Sequence, residues 1–205
     1  MKFLTAIFLL ILVSCGNKSE KKETTSRNDS VGTVTDTGSV KDQVTTNTDT
    51  VPKMTVLAEE VDRLLKSKSS EWVLVTDATA NWPKDNFDYF ITPTRKKNPD
   101  YPYIASADFD GDQKRDAAAL VNQPGTKNYS IAIIRDMLST NPTIYYWKDD
   151  IDVAAVSIFP KGDLDGTEGE HVKLKNNAIG IEYFETSSFV IYWDGSGWKR
   201  VWTGD

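Results

Sequence analysis

Apolar positions change their rhythm along this chain. Val56 or Leu57, Val61, Leu64 and Leu65 recur at helical spacing between Thr55 and Lys66, with Glu59, Glu60, Asp62 and Arg63 on the opposite side. Acidic residues come early and Lys66 and Lys68 late, as the helix dipole favours. The pattern predicts one amphipathic helix with an apolar stripe laid on the domain. Beyond it come short β-branched and aromatic runs: Trp72–Thr76, Tyr103–Ala107, Ala117–Val121, Tyr129–Arg135 and Thr143–Trp147, then Val153–Phe159, His171–Leu174, Ile179–Phe184, Phe189–Trp193 and Trp198–Trp202. Asn176-Asn177 and Asp194-Gly195-Ser196-Gly197 supply residues that accept positive φ at tight turns. The expected fold is α+β, mostly β, with the N-terminal amphipathic helix packed on a twisted antiparallel β-meander. Ala78 to Pro102, punctuated by Pro83, Pro93, Pro99 and Pro102, reads as a long surface excursion.

The N-terminal quarter follows neither rhythm. Lys2 precedes an apolar run from Phe3 to Val13, the layout of a signal peptide and too short for a stable transmembrane span. Residues 16–50 hold nine threonines but only four apolar side chains, Val31, Val34, Val40 and Val44. Such a stretch cannot bury enough apolar surface to offset the entropy of ordering its backbone, so it reads as a disordered tether. All six tryptophans lie beyond it. Three parts are therefore expected: 1–14 a signal peptide, 15–53 the cysteine and tether, and 54–205 a globular β-rich domain.

The apolar run closes on Leu12-Val13-Ser14-Cys15. This resembles the lipobox of bacterial lipoproteins, in which a small residue before the cysteine fits the peptidase and the sulfur receives the lipid. The resemblance implies cleavage before Cys15, a thioether-linked diacylglycerol and an acylated amino group, so that the lipid bilayer is the partner through Cys15. Multiple acyl chains give durable attachment, each buried methylene adding about 0.8 kcal/mol. Gly16 follows in place of the aspartate that retains many enterobacterial lipoproteins at the inner membrane, which favours the outer membrane.

Charge and residue types narrow the chemistry. Residues 54–205 carry 17 Lys plus Arg against 24 Asp plus Glu. An acidic domain repels phosphate backbones, which argues against nucleic acid and suits cations or neutral ligands. Cys15 is the only cysteine and His171 the only histidine, so a disulfide within the chain is excluded and a zinc centre of the usual ligands disfavoured. No nucleophile motif, Walker loop or dinucleotide fingerprint occurs.

One segment stands apart: Asp108-Phe109-Asp110-Gly111-Asp112-Gln113-Lys114-Arg115-Asp116, with carboxylates at positions 1, 3, 5 and 9. Alternation puts Asp108 and Asp110 on one side while Phe109 points into the core, and Gly111 lets the chain turn so that Asp112 faces the same centre. A backbone carbonyl near Lys114 fills the next position and Asp116 closes the ring. Hard oxygens converging this way suit Ca²⁺ better than Mg²⁺. Ala119 stands where an EF-hand needs its closing glutamate. The element resembles instead the strand–loop–strand calcium unit of FG-GAP and VCBS-type repeats, over Tyr103 to Val121. Those proteins repeat the unit to build a propeller, and one good copy is present here. Gly162-Asp163-Leu164-Asp165-Gly166-Thr167-Glu168-Gly169-Glu170 echoes it but reads as an acidic hairpin turn.

Function is thus expected to be non-enzymatic: a membrane-anchored envelope lipoprotein with a calcium-stabilised binding or structural domain, an envelope protein or glycan being a possible partner. The alternatives are an envelope hydrolase acting on glycans through paired carboxylates, and a carbohydrate- or protein-recognition module using exposed aromatics. Tyr145, Tyr146, Trp147, Tyr192, Trp193, Trp198 and Trp202 read first as core or cross-strand pairs, His171 as structural, and Arg95-Lys96-Lys97 as a solubilising tip.

Overall fold

A computed structural model describes residues 54–204. The stretches read as signal peptide and tether, with Cys15 between them, fall outside these residues. The described part is mostly β, with antiparallel sheets and few helices.

Helix α1, Val56–Lys68, begins at Thr55, whose hydroxyl caps the N–H of Ala58 at 3.0 Å. Its buried stripe is Val61, Leu64 and Leu65. These join a core that runs through both larger sheets. The strands form three antiparallel sheets where one meander was expected. In the first, β1 (Val73–Leu74), β3 (Ala117–Asn122), β4 (Tyr129–Arg135) and β5 (Thr143–Tyr146) are neighbours in that order, and β2 (Ile104–Ala105) also pairs with β3. In the second, the order is β11 (Trp198–Gly204), β10 (Ser187–Trp193), β9 (Ala178–Tyr183) and β6 (Ala155–Phe159). A hairpin of β7 (Gly162–Asp165) and β8 (His171–Leu174) is the third. The Val156 N–H donates to the Pro102 carbonyl at 2.7 Å, tying β6 to the chain entering β2.

Strand alternation gives the second sheet two apolar faces. Phe189 and Ile191 of β10 enter the main core, while Val190 between them packs with Leu164, Leu174, Ala178 and Val201 in a smaller cluster. Both faces of the second sheet are therefore covered, one by the main core and the other by the β7–β8 hairpin. The aromatics expected to pair across strands do so at Trp193 and Trp198, which are in register with ring centroids 5.2 Å apart. Trp202 packs edge-on to Phe189, and Tyr146 stacks on Trp72.

Ala78–Pro102 is a correction. It is largely helical: α2 is Asp77–Ala80, and α3 (Lys84–Asn86), a π-helical turn (Phe87–Ile91) and α4 (Thr92–Arg95) follow one another directly. Trp82 and Ile91 are buried. Two of the four prolines, Pro83 and Pro93, mark helix positions that tolerate them. Pro83 is the residue before α3, and Pro93 lies in the first turn of α4, where the Thr92 N–H reaches back five residues to the Phe87 carbonyl. Proline has no N–H and crowds the carbonyl four residues behind it, and a widened π turn relieves that conflict. Arg95 is likewise no surface tip. Its guanidinium pairs bidentately with Asp77 at 2.6 and 2.7 Å, and its Nε donates to the Tyr101 carbonyl at 2.6 Å. That guanidinium holds the Asp77 carboxyl below the usual aspartate range.

Leu65, fully buried in α1, separates core helix from interaction helix. Leu65→Ala is expected to cost about 2–5 kcal/mol in urea unfolding. Val56→Ser, at a position 84% exposed, is expected to change stability by about 0.5 kcal/mol or less. Equal effects would contradict this packing.

Candidate metal centre

The aspartate segment joins β2 to β3, and its geometry follows from what lies at each end. All six residues of β3 are buried, so Asp116, the residue before it, is drawn below the surface and is fully buried. A buried carboxylate needs partners. Its Oδ2 accepts from the Phe109 N–H at 3.0 Å and its Oδ1 from the Asp136 N–H at 2.9 Å. Phe109 points into the core as its alternation with Asp108 and Asp110 predicts, and it is also fully buried. Asp116 therefore clamps the start of the loop to the turn after β4.

Within the loop the other aspartates order the backbone. Asp108 accepts from Gly111 N at 2.7 Å and Gln113 N at 3.0 Å, Asp110 from Asp112 N at 3.1 Å, and Asp112 from Lys114 N at 2.9 Å. Gly111 sits at φ +86°, and a Cβ there would meet the Asn176 side chain at 2.6 Å. Both the left-handed backbone and this close approach call for glycine.

Three of the sequence-predicted ligands converge. Asp108, Asp110 and Asp116 each offer a carboxylate oxygen, all within 4.8 Å of one another. Oxygens on opposite sides of a Ca²⁺ ion at its usual 2.3–2.6 Å stand about 5 Å apart, so the spacing fits that ion. Asp112 turns elsewhere: its Oδ2 lies 3.2 Å from the Lys114 ammonium, which also pairs with Asp136 at 2.9 Å. Lys114 meets the loop through its backbone N–H and its ammonium. The echo Gly162–Glu170 forms β7 and the turn after it, with Asp165 2.7 Å from the His171 Nδ1 and both side chains well exposed.

Arg135, at the end of β4, is the residue that reading the loop alone misses. Its guanidinium pairs with Asp110, whose side chain is 1% exposed, and its other face lies over the Trp193 ring at 5.1 Å. Arg135 lies 25 residues from Asp110 in sequence, so no local spacing marks it. It changes the electrostatics, because the carboxylates do not face one another with only water as counter-charge. Arg135 and Lys114 each offset one of them.

Burial pushes the Asp116 carboxyl up to about 6; its two N–H donors work against the rise, and Asp110 and Asp112 add to it. The folded state without metal thus takes up a proton between roughly pH 6 and 4 that the unfolded chain does not. Lowering the pH from 7 to 4.5 in chelator should raise stability, by on the order of 2 kcal/mol. His171, whose imidazole the Asp165 carboxylate holds above its ordinary value, acts in the same direction near pH 7, so a His171→Gln background is the clean one. Asp77 beside Arg95, and likewise Glu60, Asp112 and Asp194, whose carboxyls are held below their ordinary values, act oppositely, chiefly at the acid end of that range and below it. Saturating calcium, which favours the ionised carboxylate, should remove the gain. Chemical denaturation across that pH range, with and without calcium, reads both.

Comparison of the chain with protein-family models, curated proteins and solved structures finds no match in any of the three.

Proposed function

We propose that this chain is a lipid-anchored lipoprotein of a bacterial envelope whose β-rich domain is held in shape by a calcium ion and serves binding or structure, not catalysis. Convergence of the Asp108, Asp110 and Asp116 carboxylates within 4.8 Å, at the junction of β2 and β3, is the observation that carries the calcium reading. Those three supply the first oxygens. Asp112 and the Lys114 carbonyl would complete the shell if the Lys114 ammonium gives up Asp112. Arg135 then has a definite role as an internal counter-ion for Asp110 that a divalent cation must displace or share.

The lipid anchor rests on Leu12-Val13-Ser14-Cys15 behind a charged start and an apolar run. Among the described residues, no helix is long and apolar enough to cross a membrane. In this reading acylated Cys15 is the attachment, and Gly16 favours the outer membrane. The acidic balance of residues 54–205 disfavours nucleic acid as a partner. A non-enzymatic role is favoured because the recognisable carboxylate chemistry is accounted for as a metal clip.

Two measurements test the two halves. Metabolic labelling with a fatty-acid analogue should mark the wild-type chain and not Cys15→Ala; label retained on the variant overturns the anchor. For the clip, calcium at a hundredfold above its dissociation constant should stabilise the fold by about 2.7 kcal/mol, raising its melting temperature, and magnesium should do so less. Asp110→Asn should lose most of that increment, Asp163→Asn should keep it, and Arg135→Gln should bind calcium more tightly. Identical melting in calcium and in chelator, with no heat of binding, would leave the loop an ordinary acidic turn.

A further inference from the structure

A second feature, built from other residues, lies where the hairpin between β9 and β10 meets the π-helical turn. An open cleft of about 500 Å³ runs between them, and none of the metal-centre aspartates lines it. Its walls are unusually specified for a surface loop. The hairpin tip holds Glu185 at φ +62°, a left-handed conformation that costs a β-carbon residue energy. The tip is closed by the Thr186 N–H donating to the Tyr183 carbonyl at 3.1 Å. Phe184 is fixed between the Trp82 ring, at 5.2 Å, and the Phe90 ring, which stacks on it at 4.8 Å with planes 8° apart. The facing wall is the Phe87–Ile91 π turn, a geometry frequent at functional sites. It leaves Tyr89, 73% exposed, at the rim with Phe90 behind it.

Glu182 is the polar anchor of the same cleft. Its Oε1 accepts from the Ser157 hydroxyl at 2.7 Å, and its Oε2 faces the buried Tyr101 hydroxyl at 3.4 Å. The carboxylate is thereby held in one orientation, with lone pairs left to accept further hydrogen bonds. Thr94, Thr186, Ser187 and Ser188 also line the cleft. Among the described residues lining the cleft there is no lysine or arginine, while Glu182 and Glu185 are both acidic. That combination disfavours phosphate and carboxylate ligands. The ring arrangement speaks to the remaining choice. A cage for an organic cation places aromatic faces around one point, whereas Phe90 and Phe184 stack in parallel and spend a face on each other. A neutral ligand with a flat C–H face and many hydroxyls matches an exposed tyrosine, an oriented carboxylate and a lining that includes threonine and serine side chains.

We propose that this cleft binds a neutral saccharide, with Tyr89 as the stacking platform and Glu182 as the fixed acceptor for sugar hydroxyls. The inference does not depend on calcium, so either reading survives the failure of the other. The full chain, fluorescently labelled, is applied to an array of neutral, anionic and cationic oligosaccharides, with cellohexaose, an N-acetylglucosamine hexamer, oligogalacturonate and a chitosan hexamer also titrated by calorimetry. Retention of neutral glycans in preference to charged ones is expected. Tyr89→Ala, an exposed position whose loss leaves melting unchanged, should weaken the best neutral ligand about tenfold. Tyr145→Ala, another exposed aromatic, should leave affinity as it is. Glu182→Gln should weaken it too, with unchanged melting as the check on folding. Three results would overturn the proposal: no neutral glycan retained, tighter binding of the chitosan hexamer, or undiminished affinity in Tyr89→Ala.

Discussion

Strand β3 is buried along its whole length, and much else in the domain is arranged to make that possible. It pairs with β1 and β2 as well as β4, so its backbone groups are spent inside the first sheet. Its run of three alanines, Ala117 to Ala119, keeps both faces thin enough for the core to close on them. A strand placed so deep pulls its flanking residues inward. Asp116 thus enters the interior as a carboxylate and must be satisfied there, which is why it takes the N–H groups of Phe109 and Asp136. The loop's path is a consequence of that demand. Phe109 is tethered at one end, β3 begins at the other, and Asp108, Asp110 and Asp112 bend the intervening backbone by accepting its amides.

Concentrating charge at the edge of a buried strand has an electrostatic cost, met from two sides. Lys114 comes from within the loop, and Arg135 comes from the far end of β4 with its guanidinium braced over Trp193. A protein that relied on these cations alone would have a rigid acidic turn. One that exchanges them for a divalent ion gains a joint whose strength depends on the surrounding calcium. Here Asp110 gives one oxygen to the Asp112 N–H and the other to the Arg135 guanidinium.

Elsewhere, strain and stacking converge on the β9–β10 hairpin. A left-handed Glu185, a π turn imposed beside Pro93 and the Trp82–Phe184–Phe90 stack hold two otherwise unrelated segments against each other. The Asp77–Arg95 pair secures the helical segment from its other end. Such irregular backbone persists when its surroundings over-determine it, and here the surroundings are aromatic.

Local chemistry was legible without coordinates wherever it depended on neighbours in sequence. The α1 stripe of Val61, Leu64 and Leu65 follows from the helical period, the inward Phe109 from strand alternation, and the turn at Gly111 from its freedom to adopt positive φ. The aspartate spacing singled out Asp108, Asp110, Asp112 and Asp116, with the Lys114 carbonyl, and of these Asp108, Asp110 and Asp116 converge. What sequence alone misjudged were matters of long-range pairing. Four prolines made Ala78–Pro102 look like open loop, because nothing local shows that Pro83 precedes a helix or that a π turn accommodates Pro93. Arg95 looked like a solvated tip, because its partner Asp77 lies eighteen residues away. The division into three sheets depends on which strands find each other, and no alternation within one strand encodes its neighbour. Arg135 against Asp110, and the cleft between the hairpin and the π turn, have the same origin. The sequence by itself determined helix α1, most of the strands and the aspartate turn, since those follow from backbone preference and side-chain period over a few residues. Only the tertiary structure decided which charges meet and which rings stack, since such contacts join segments that local preference leaves independent.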